Sequence, residues 1–284
     1  MRSLRRQVLA AVLVVLAAVC GFGLHEARSD PIVRRAQIML VGGDPQAPPL
    51  RIALVSDIHV QNWAMPAWRL NRVVDQINAQ HPDAILLAGD FVNGSGAQSW
   101  DFHPWAMVSP LSRLHAPLGV HAVLGNHDVD SSQPFVEGAL RQAGIDVLNN
   151  RAIRIGPIAL IGMSMYDAER PKLAPVLAQA RALGGFPVLM THRPPFAGQI
   201  QDDIPLVLAG HTHCGQIVIG SWHNDYDWIK GVARFEPSLR CGIRRFGPHL
   251  VVVTAGVGAA TIPPIRIDAP PDFWILTLQG RARP

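Results

Sequence analysis

The sequence has few cysteines and no repeats, and both shortages limit the class of protein. Its 284 residues include three cysteines, Cys20, Cys214 and Cys241. They give no disulfide framework and no C-x-x-C motif. A bridge between Cys214 and Cys241 stays open, but we expect two isolated thiols. Without internal repeats or low-complexity tracts, and with 49% hydrophobic residues, the chain after its N-terminal segment suits one large domain.

Excess positive charge is missing from most of the chain, although the pI is about 9.4. Residues 1–35 hold six of the 25 Lys and Arg residues but only two of the 21 acidic residues. The remainder therefore carries nineteen of each and is neutral overall. This balance argues against a broad phosphate-binding face, and we expect no nucleic-acid partner. The oligomeric state stays open.

Long apolar runs are absent too, except at the N terminus. Residues 7–24 are uncharged, and the apolar part, residues 8–24, spans about 25 Å as a helix, slightly short of a ~30 Å hydrocarbon core. The run is either a signal anchor or a signal peptide. No A-x-A cleavage site follows it, and Val19 before Cys20 makes a poor lipoprotein signal, so we favour a retained anchor.

The arginines before this run determine the expected topology. Arg2, Arg5 and Arg6 favour a cytoplasmic N terminus, which places the rest of the chain on the periplasmic side of a bacterial inner membrane. Arg5 and Arg6 also match a twin-arginine export signal, although only weakly. We therefore expect an anchor and linker in residues 1–30 and a single domain in residues 31–284.

Beyond the anchor, strand patterns alternate with helix patterns. Apolar runs predict buried strands at 50–56, 84–88, 119–124, 187–190 and 206–209, an edge strand at 36–41, a hairpin at 152–163, and last strands at 250–254 and 273–278. Helices are predicted at 68–80, 134–143 and 172–183. Residues 94–105 and 221–247 lack a period, and the second stretch predicts a long functional loop. This order indicates a layered α/β fold.

Five of these strands are followed by side chains that bind metals. They are Asp57 and His59, Asp90, Asn126, His192, and the pair His211 and His213. Two residues that are two positions apart on an extended segment point to one side, so Asp57 and His59 are placed to share an ion. Carboxylate, imidazole and amide ligands suit Mn²⁺, Fe, Zn²⁺ or Mg²⁺ without deciding among them. Each residue alone is more simply a surface or turn residue, but together they predict a metal site.

In this order the motifs D-x-H, G-D, G-N-H-D, a lone His and G-H-x-H resemble the calcineurin-like metallophosphoesterase superfamily, over roughly residues 50–278. Residues 210–216, the G-x-G at 256–258 and the P-x-R at 264–266 are similar to bacterial membrane-associated phosphodiesterases related to UDP-2,3-diacylglucosamine pyrophosphatases. The resemblance implies a four-layer α/β/β/α sandwich of two mixed sheets flanked by helices. It also implies a site at the C-terminal ends of the strands.

The resemblance further implies two divalent ions with one shared ligand. The first ion is expected to bind Asp57, His59, Asp90 and His213, and the second Asp90, Asn126, His192 and His211. His127 corresponds to the family's non-ligand histidine, which donates a hydrogen bond to the phosphoryl oxygen or a proton to the leaving group.

Three departures from the family pattern, and two other histidines, complete the site prediction. Asn93 stands where many members carry the aspartate that orients the catalytic histidine. Cys214 replaces a glycine, which matters only if the position needs positive φ. Arg193, after the lone His, is a candidate substrate contact, as are His103 and His223 in the two unpatterned stretches.

Together these features predict a membrane-anchored phosphohydrolase of the phosphodiesterase or pyrophosphatase type. A metal-activated water would attack a phosphate ester or anhydride. The expected substrate is a lipid-linked phosphate or a UDP-sugar lipid, which rests on the resemblance and the anchor. A broad phosphomonoesterase or cyclic-nucleotide phosphodiesterase is the rival activity. An inactive metal-binding scaffold is the rival outside enzymes, but all seven expected ligands and His127 are present.

Overall fold

Two six-stranded sheets pack face to face in the computed structural model, with helices on both outer sides. The structure describes residues 2–94, 105–164, 170–195, 204–223, 226–227, 232–233, 235–260 and 264–282. The predicted α/β/β/α sandwich of two mixed sheets is confirmed. Within the described residues the helices are α1 (Arg2–Arg28), α2 (Ala67–Asn78), α3 (Trp105–Leu111), α4 (Asn126–Gln142) and α5 (Arg170–Leu183).

The strands follow the predicted order with several additions. In chain order they are β1 (Ile32–Val41), β2 (Leu50–Val55), β3 (Ala84–Ala88), β4 (Val120–Val123), β5 (Asp146–Val147), β6 (Arg151–Ile155), β7 (Ile158–Met163), β8 (Phe186–Thr191), β9 (Leu206–Ala209), β10 (Val218–Ile219), β11 (Trp222–His223), β12 (Tyr226–Asp227), β13 (Val232–Ala233), β14 (Gly242–Phe246), β15 (His249–Val253) and β16 (Asp272–Arg281). The first sheet has the order β1-β16-β2-β3-β4-β5, and the second has the order β14-β15-β9-β8-β7-β6.

Parallel pairing determines where the ligand segments emerge. Strands β2 to β5 are parallel neighbours in the first sheet, and β7, β8, β9 and β15 are parallel neighbours in the second. Parallel strands end at the same edge of their sheet, where α/β proteins place their ligands. The segments that follow β2, β3, β4, β8 and β9 therefore leave their sheets at the carboxyl edges.

Three apolar clusters fix these edges. Leu54 and Leu86 of the first sheet pack with Val188 and Leu208 of the second. The helices α2, α3 and α4 cover the outer face of the first sheet, and α5 covers that of the second. Each buried Leu or Val contributes roughly 1.5–3 kcal/mol relative to exposure. The strand ends are thus held by the same core that stabilises the fold.

One prediction of local structure is incomplete and another is wrong. The helix predicted at 134–143 follows the kink at Ser132, but a helical segment before the kink, beginning at Asn126, was not predicted. It starts where the Asp128 carboxylate accepts the N–H of Gly125. The stretch 221–247 contains β14 in place of a continuous loop. As the edge strand of its sheet, β14 exposes Arg244 and Arg245 and so lacks an apolar pattern. Of the predicted loop 94–105, residues 95–104 lie outside the described residues.

The N-terminal helix α1 is longer than the predicted apolar run. A 26-residue stretch, Ser3–Arg28, is long and apolar enough to cross a membrane. Its apolar side chains are exposed up to Phe22, whereas Gly23 and Ala27 are buried against the domain. The last turn of α1 is therefore part of the folded domain, although the boundary at residue 30 stays a prediction.

Candidate metal centre

The first group of ligand candidates lies at the ends of β2 and β9. Asp57, His59 and His213 place one ligand atom each within 4.8 Å of one another. The Nε2 atom of His213 lies 3.2 Å from His59 Nε2 and 3.3 Å from Asp57 Oδ1. All three side chains are buried. The predicted ligands from distant parts of the chain are thus brought together around one point.

The second group of ligand candidates lies beside the first. Asp90, His192 and His211 form it, with His192 Nε2 3.1 Å from Asp90 Oδ2 and 3.2 Å from His211 Nδ1. The same Asp90 Oδ2 lies 3.7 Å from His59 Nε2. Asp90 therefore stands between the two groups, as expected of a bridging carboxylate.

The donor set fits divalent cations. The Oδ1 atom of Asn126 is buried without a hydrogen-bond partner, and a buried amide oxygen without one is costly unless a ligand satisfies it. Ring nitrogens of His59, His192 and His213 lie within 4.0 Å of carboxylate oxygens, and His211 Nδ1 lies 3.2 Å from His192 Nε2. A mixed nitrogen and oxygen set of this kind suits Mn²⁺, Fe, Zn²⁺ or Mg²⁺.

Backbone carbonyls orient two of the imidazoles. His59 Nδ1 donates to the carbonyl oxygen of Val92 at 3.1 Å, and His192 Nδ1 donates to that of Ala88 at 2.7 Å. Since each Nδ1 carries the proton, each Nε2 faces the site. Such outer hydrogen bonds fix the tautomer and the ring angle of metal ligands.

Burial and charge divide the imidazoles into neutral and protonated. Burial lowers the pKa of His59 and of His211 to about 3 each, and lowers that of His213 well below its usual value. Burial also acts to lower the pKa of His192, but the charge and hydrogen bond of Asp90 outweigh it and raise that pKa to about 9. Burial raises the pKa of Asp57 to about 6. Three imidazoles are therefore ready to bind a cation, whereas His192 must first lose a proton.

The site concentrates unusual backbone conformations. Asp57, His59, Asp90, His211 and His213 all have positive φ, between 48° and 71°. Left-handed backbone costs an L-residue roughly 1–2 kcal/mol, and such residues cluster at functional sites. The ligand geometry is thus imposed by the surrounding structure and not by local preference.

The G-x-G motif at 256–258 supports the Asp57 segment by close backbone contact. The N–H of Gly258 donates to Asp57 O at 2.7 Å. An added Cβ at Gly256 would lie 2.5 Å from Asp57 Cβ, and one at Gly258 would overlap the carbonyl oxygen of Ile58. Only glycine allows this approach. The sequence showed the motif without showing this role.

A disulfide bond holds the turn that follows His213. Cys214 is bonded to Cys241, with Cα atoms 4.9 Å apart, so the expectation of isolated thiols is wrong. Nothing in the sequence showed that the segment before β14 returns to this turn. Thr212 Oγ1 also donates to the Arg240 carbonyl at 2.6 Å. Because Cys214 has φ 54°, the replacement of glycine at this position does matter, and the bond helps to hold the strained conformation.

Arg266 is the main residue of the site that sequence reasoning missed. It is fully buried, and its Nε donates to Gly258 O at 2.8 Å. One terminal nitrogen donates to the His213 carbonyl and the other lies beside His213 Nδ1, both at 3.2 Å. Burial lowers its pKa to about 10, so it stays charged at neutral pH. Its P-x-R motif was the available signal.

His127 lies at the rim of the two groups. Its ring centre is 5.0 Å from that of His59, and its Nδ1 donates to the Gly94 carbonyl at 2.5 Å. That carbonyl stands where the prediction put Asn93, whose Oδ1 is buried without a hydrogen-bond partner. Asp128, next to His127, also accepts the N–H groups of Asp90 and Phe91, at 2.8 Å each.

The candidate substrate contacts are placed less closely. Arg193 follows His192 and is half-buried. The pKa of His211 is lowered first by burial, then by the charge of His192, and also by the positive charge of Arg193. His223 lies in β11, opposite Val218 in the short ribbon after the G-H-x-H turn. His103 lies outside the described residues. Arg193 is thus placed beside the ligand candidates His192 and His211.

Comparisons with known proteins show which proteins the chain is similar to. The family model described as calcineurin-like phosphoesterase matches residues 50–215. The chain is 28% identical to a metallophosphoesterase of Aquifex aeolicus, with 84% of this chain and 88% of that protein covered. It is also 28% identical to a transmembrane protein with a metallophosphoesterase domain from Danio rerio, covering 92% of this chain but only 60% of that protein. A dimetal phosphatase structure from Danio rerio is 13% identical, with a TM-score of 0.45, over 74% of this chain and 88% of that one.

Proposed function

The chain belongs to the calcineurin-like phosphoesterase family and is a metallophosphoesterase, and from this premise we propose a two-metal phosphohydrolase of the phosphodiesterase or pyrophosphatase type. Its proposed substrate is a lipid-linked phosphate or a UDP-sugar lipid. The main support for two metal ions is the position of Asp90 between the two ligand groups. Its Oδ2 atom lies 3.1 Å from His192 Nε2 and 3.7 Å from His59 Nε2.

Each residue has a proposed task. Asp57, His59 and His213 would hold one divalent ion, Asn126, His192 and His211 the other, and Asp90 both. A bound metal pair supplies an acidified water and neutralises charge on the phosphoryl group. His127, with Nδ1–H donated to Gly94 O, keeps Nε2 for the substrate or leaving group. Arg193 would contact a phosphate oxygen through its planar donors.

The proposed location is the inner membrane of a bacterium, with residues 1–30 as anchor and residues 31–284 as catalytic domain on the extracytoplasmic side. The disulfide between Cys214 and Cys241 supports that side, because disulfides persist in oxidising compartments and are rare in the cytosol. The apolar length of α1 supports the anchor.

The test is Asp90→Asn in the full-length protein. We expect loss of both metals and a fall in kcat of at least ~10³-fold, because the neutral amide cannot bridge two cations. Metal content is measured by elemental analysis, and rates on a panel of phosphomonoesters, phosphodiesters and lipid pyrophosphates. Asp75→Asn, at an exposed ion pair with Arg113, is the matched control and should change neither.

Two results contradict the proposal in different ways. Near-normal turnover by Asp90→Asn with two ions bound would remove the bridging role. A wild-type protein that binds two ions but cleaves only monoesters or cyclic nucleotides would establish the rival activity.

A further inference from the structure

Four large apolar side chains are exposed on one region of the domain. Trp63 is 73% exposed, Ile219 63%, Trp68 51% and Trp222 47%. Trp63 and Trp68 lie before and within the start of α2. Ile219 and Trp222 flank the tip of the β10–β11 ribbon. Exposed tryptophans that cluster are typical of an interaction surface.

The segments that carry these side chains are linked to the place where α1 meets the domain. Ala27 of α1, Ala64 and Ala259 pack together and are fully buried. Arg28 Nε donates to the Trp63 carbonyl at 2.6 Å. Two neighbouring carbonyls link the segment of Trp63 to the residues just before the β10–β11 ribbon. The Asn62 side chain donates to Ala259 O at 2.7 Å, and the Gln216 side chain donates to Ala260 O at 3.1 Å.

The length of α1 brings a bilayer surface to this place. Its uncharged exposed part, residues 7–22, spans about 24 Å at 1.5 Å per residue, against a hydrocarbon core of ~30 Å. Because this apolar span is shorter than the hydrocarbon core, the membrane surface must lie close to the domain. Gly23, the first residue held by the domain, would therefore lie at the boundary of the hydrocarbon.

The same junction is close to the metal centre. The N–H of Arg266 donates to the Gly23 carbonyl at 2.9 Å, while its guanidinium contacts His213. One residue thus connects the end of the span to a ligand candidate. The β10–β11 ribbon also begins three residues after the left-handed Gly215 of the ligand turn.

The groups at the junction are of the kind found at a membrane interface. A cavity of about 500 Å³ between α1 and α2 is lined by the apolar Leu24 and Trp68 and by His25, Arg28, Asp30 and Arg72, of which Arg72 is paired with Asp30. Apolar and cationic groups side by side suit the interface, where tryptophan rings and arginines lie at headgroup level.

We propose that Trp63, Trp68, Ile219 and Trp222 form an interfacial surface that contacts the outer leaflet beside α1 and holds the metal centre at headgroup level. The orientation rests on the membrane anchor of the proposed function. The enzyme then acts on phosphate esters of lipids in the leaflet next to its own anchor, and a soluble phosphodiester reaches the same centre from water without this surface.

The test uses tryptophan fluorescence, because α1 contains no tryptophan and any quenching reports on the domain. The full-length protein is reconstituted into vesicles of phosphatidylcholine and phosphatidylglycerol, with or without bromine near the headgroup end of the acyl chains. We expect bromine to quench the wild type, each of Trp63→Phe, Trp68→Phe and Trp222→Phe to reduce the quenched share, and the triple variant to lose most of it. Trp274→Phe, in the core, removes an unquenched ring and should not lower the quenched share.

A second variant tests the catalytic consequence. Ile219→Glu should lower turnover of a vesicle-embedded lipid phosphodiester at least fivefold and leave that of bis(p-nitrophenyl) phosphate unchanged. Equal quenching of the wild type and the triple variant would overturn the surface, and concentration-dependent shielding of Trp222 would assign it to a second copy of the chain. Normal quenching without any phosphoester hydrolysis would instead count against the proposed function.

Discussion

The metal centre has two sides that are built differently. Asp57, Asp90 and His192 follow buried parallel strands and are oriented by hydrogen bonds inside the sheets, such as that from His192 to Ala88 O. His213 lies instead on the turn after β9, which is held by Arg266 and by the disulfide of Cys214. The strand side is fixed by the interactions that fold the protein. The turn side depends on a few cross-links that can be removed singly.

Removing Arg266 should break the turn side most strongly. Arg266→Met removes the guanidinium from the His213 ring and leaves the His213 carbonyl with only the N–H of Gln216, and loss of such a supporting contact typically costs 10–100-fold in metal affinity. Arg69→Met is the matched control, because Arg69 is equally buried among carbonyls but does not contact a ligand candidate.

Metal titration followed by calorimetry checks this comparison. Both variants should lose stability, since each removes donors from buried carbonyls, but only Arg266→Met should weaken one of the two ions. Equal metal affinity in the two variants would show that Arg266 stabilises the fold without acting on the site.

The affinities of the two metal positions should depend on pH differently, and this effect should be smaller than that of removing Arg266. The pKa of His192 is raised to about 9, so His192 must lose a proton before it can bind a metal ion. The metal affinity of the position that includes His192 should therefore rise about tenfold per pH unit between pH 7 and 9. His59 and His213 are already neutral, so the affinity of the other position should stay level. Two equal slopes in a Mn²⁺ titration would contradict this division.

The same group predicts how the metal-free protein unfolds. A raised histidine pKa adds stability that is complete below the unfolded pKa of about 6.5 and is lost as the pH rises through the folded value. For His192, whose pKa is raised to about 9, stability should therefore fall between pH 7 and 9. Thermal unfolding of the metal-free protein across this range measures it, and added metal should abolish the trend.

Removing the disulfide should have the smallest effect on the metal. It closes a loop between residues 27 positions apart, which corresponds to about 3 kcal/mol of unfolding free energy. In the variant Cys214→Ser with Cys241→Ser, the released turn should lower metal affinity only about fivefold, from roughly 1 kcal/mol of backbone cost. Cys20→Ser is the control. Reductant should lower the melting temperature of the wild type and of Cys20→Ser alike, and no response in either would argue against the bridge.

The strand side could be predicted from the sequence because its signals are local. A continuous apolar run followed at once by Asp57 or Asp90 reports both the strand and its carboxyl edge, and all five ligand segments were found in this way. The first segment of α4, which starts at Asn126, was missed because it has no apolar period. Its start is marked instead by the hydrogen bond from the Gly125 N–H to the Asp128 carboxylate.

The turn side could not be predicted because its signals are distant in sequence. Cys241 and Arg266 reach the His213 turn from segments 27 and 53 residues away. The left-handed conformation of Cys214 contradicts its residue type and exists only because these contacts impose it. The P-x-R motif was visible, but its partner was not.

The contact between Arg69 and α1 has a consequence for release of the enzyme from the membrane. Arg69 is buried, and two of its donors are accepted by the carbonyls of Arg28 and Ser29. A protease that cut between Ser29 and Pro31 would separate these acceptors from the domain and open a path for water to the guanidinium. A shed domain would therefore be less stable than the anchored one, and proteolytic clearance would follow detachment. The helix that retains the enzyme at the membrane thereby also limits the lifetime of molecules that leave it.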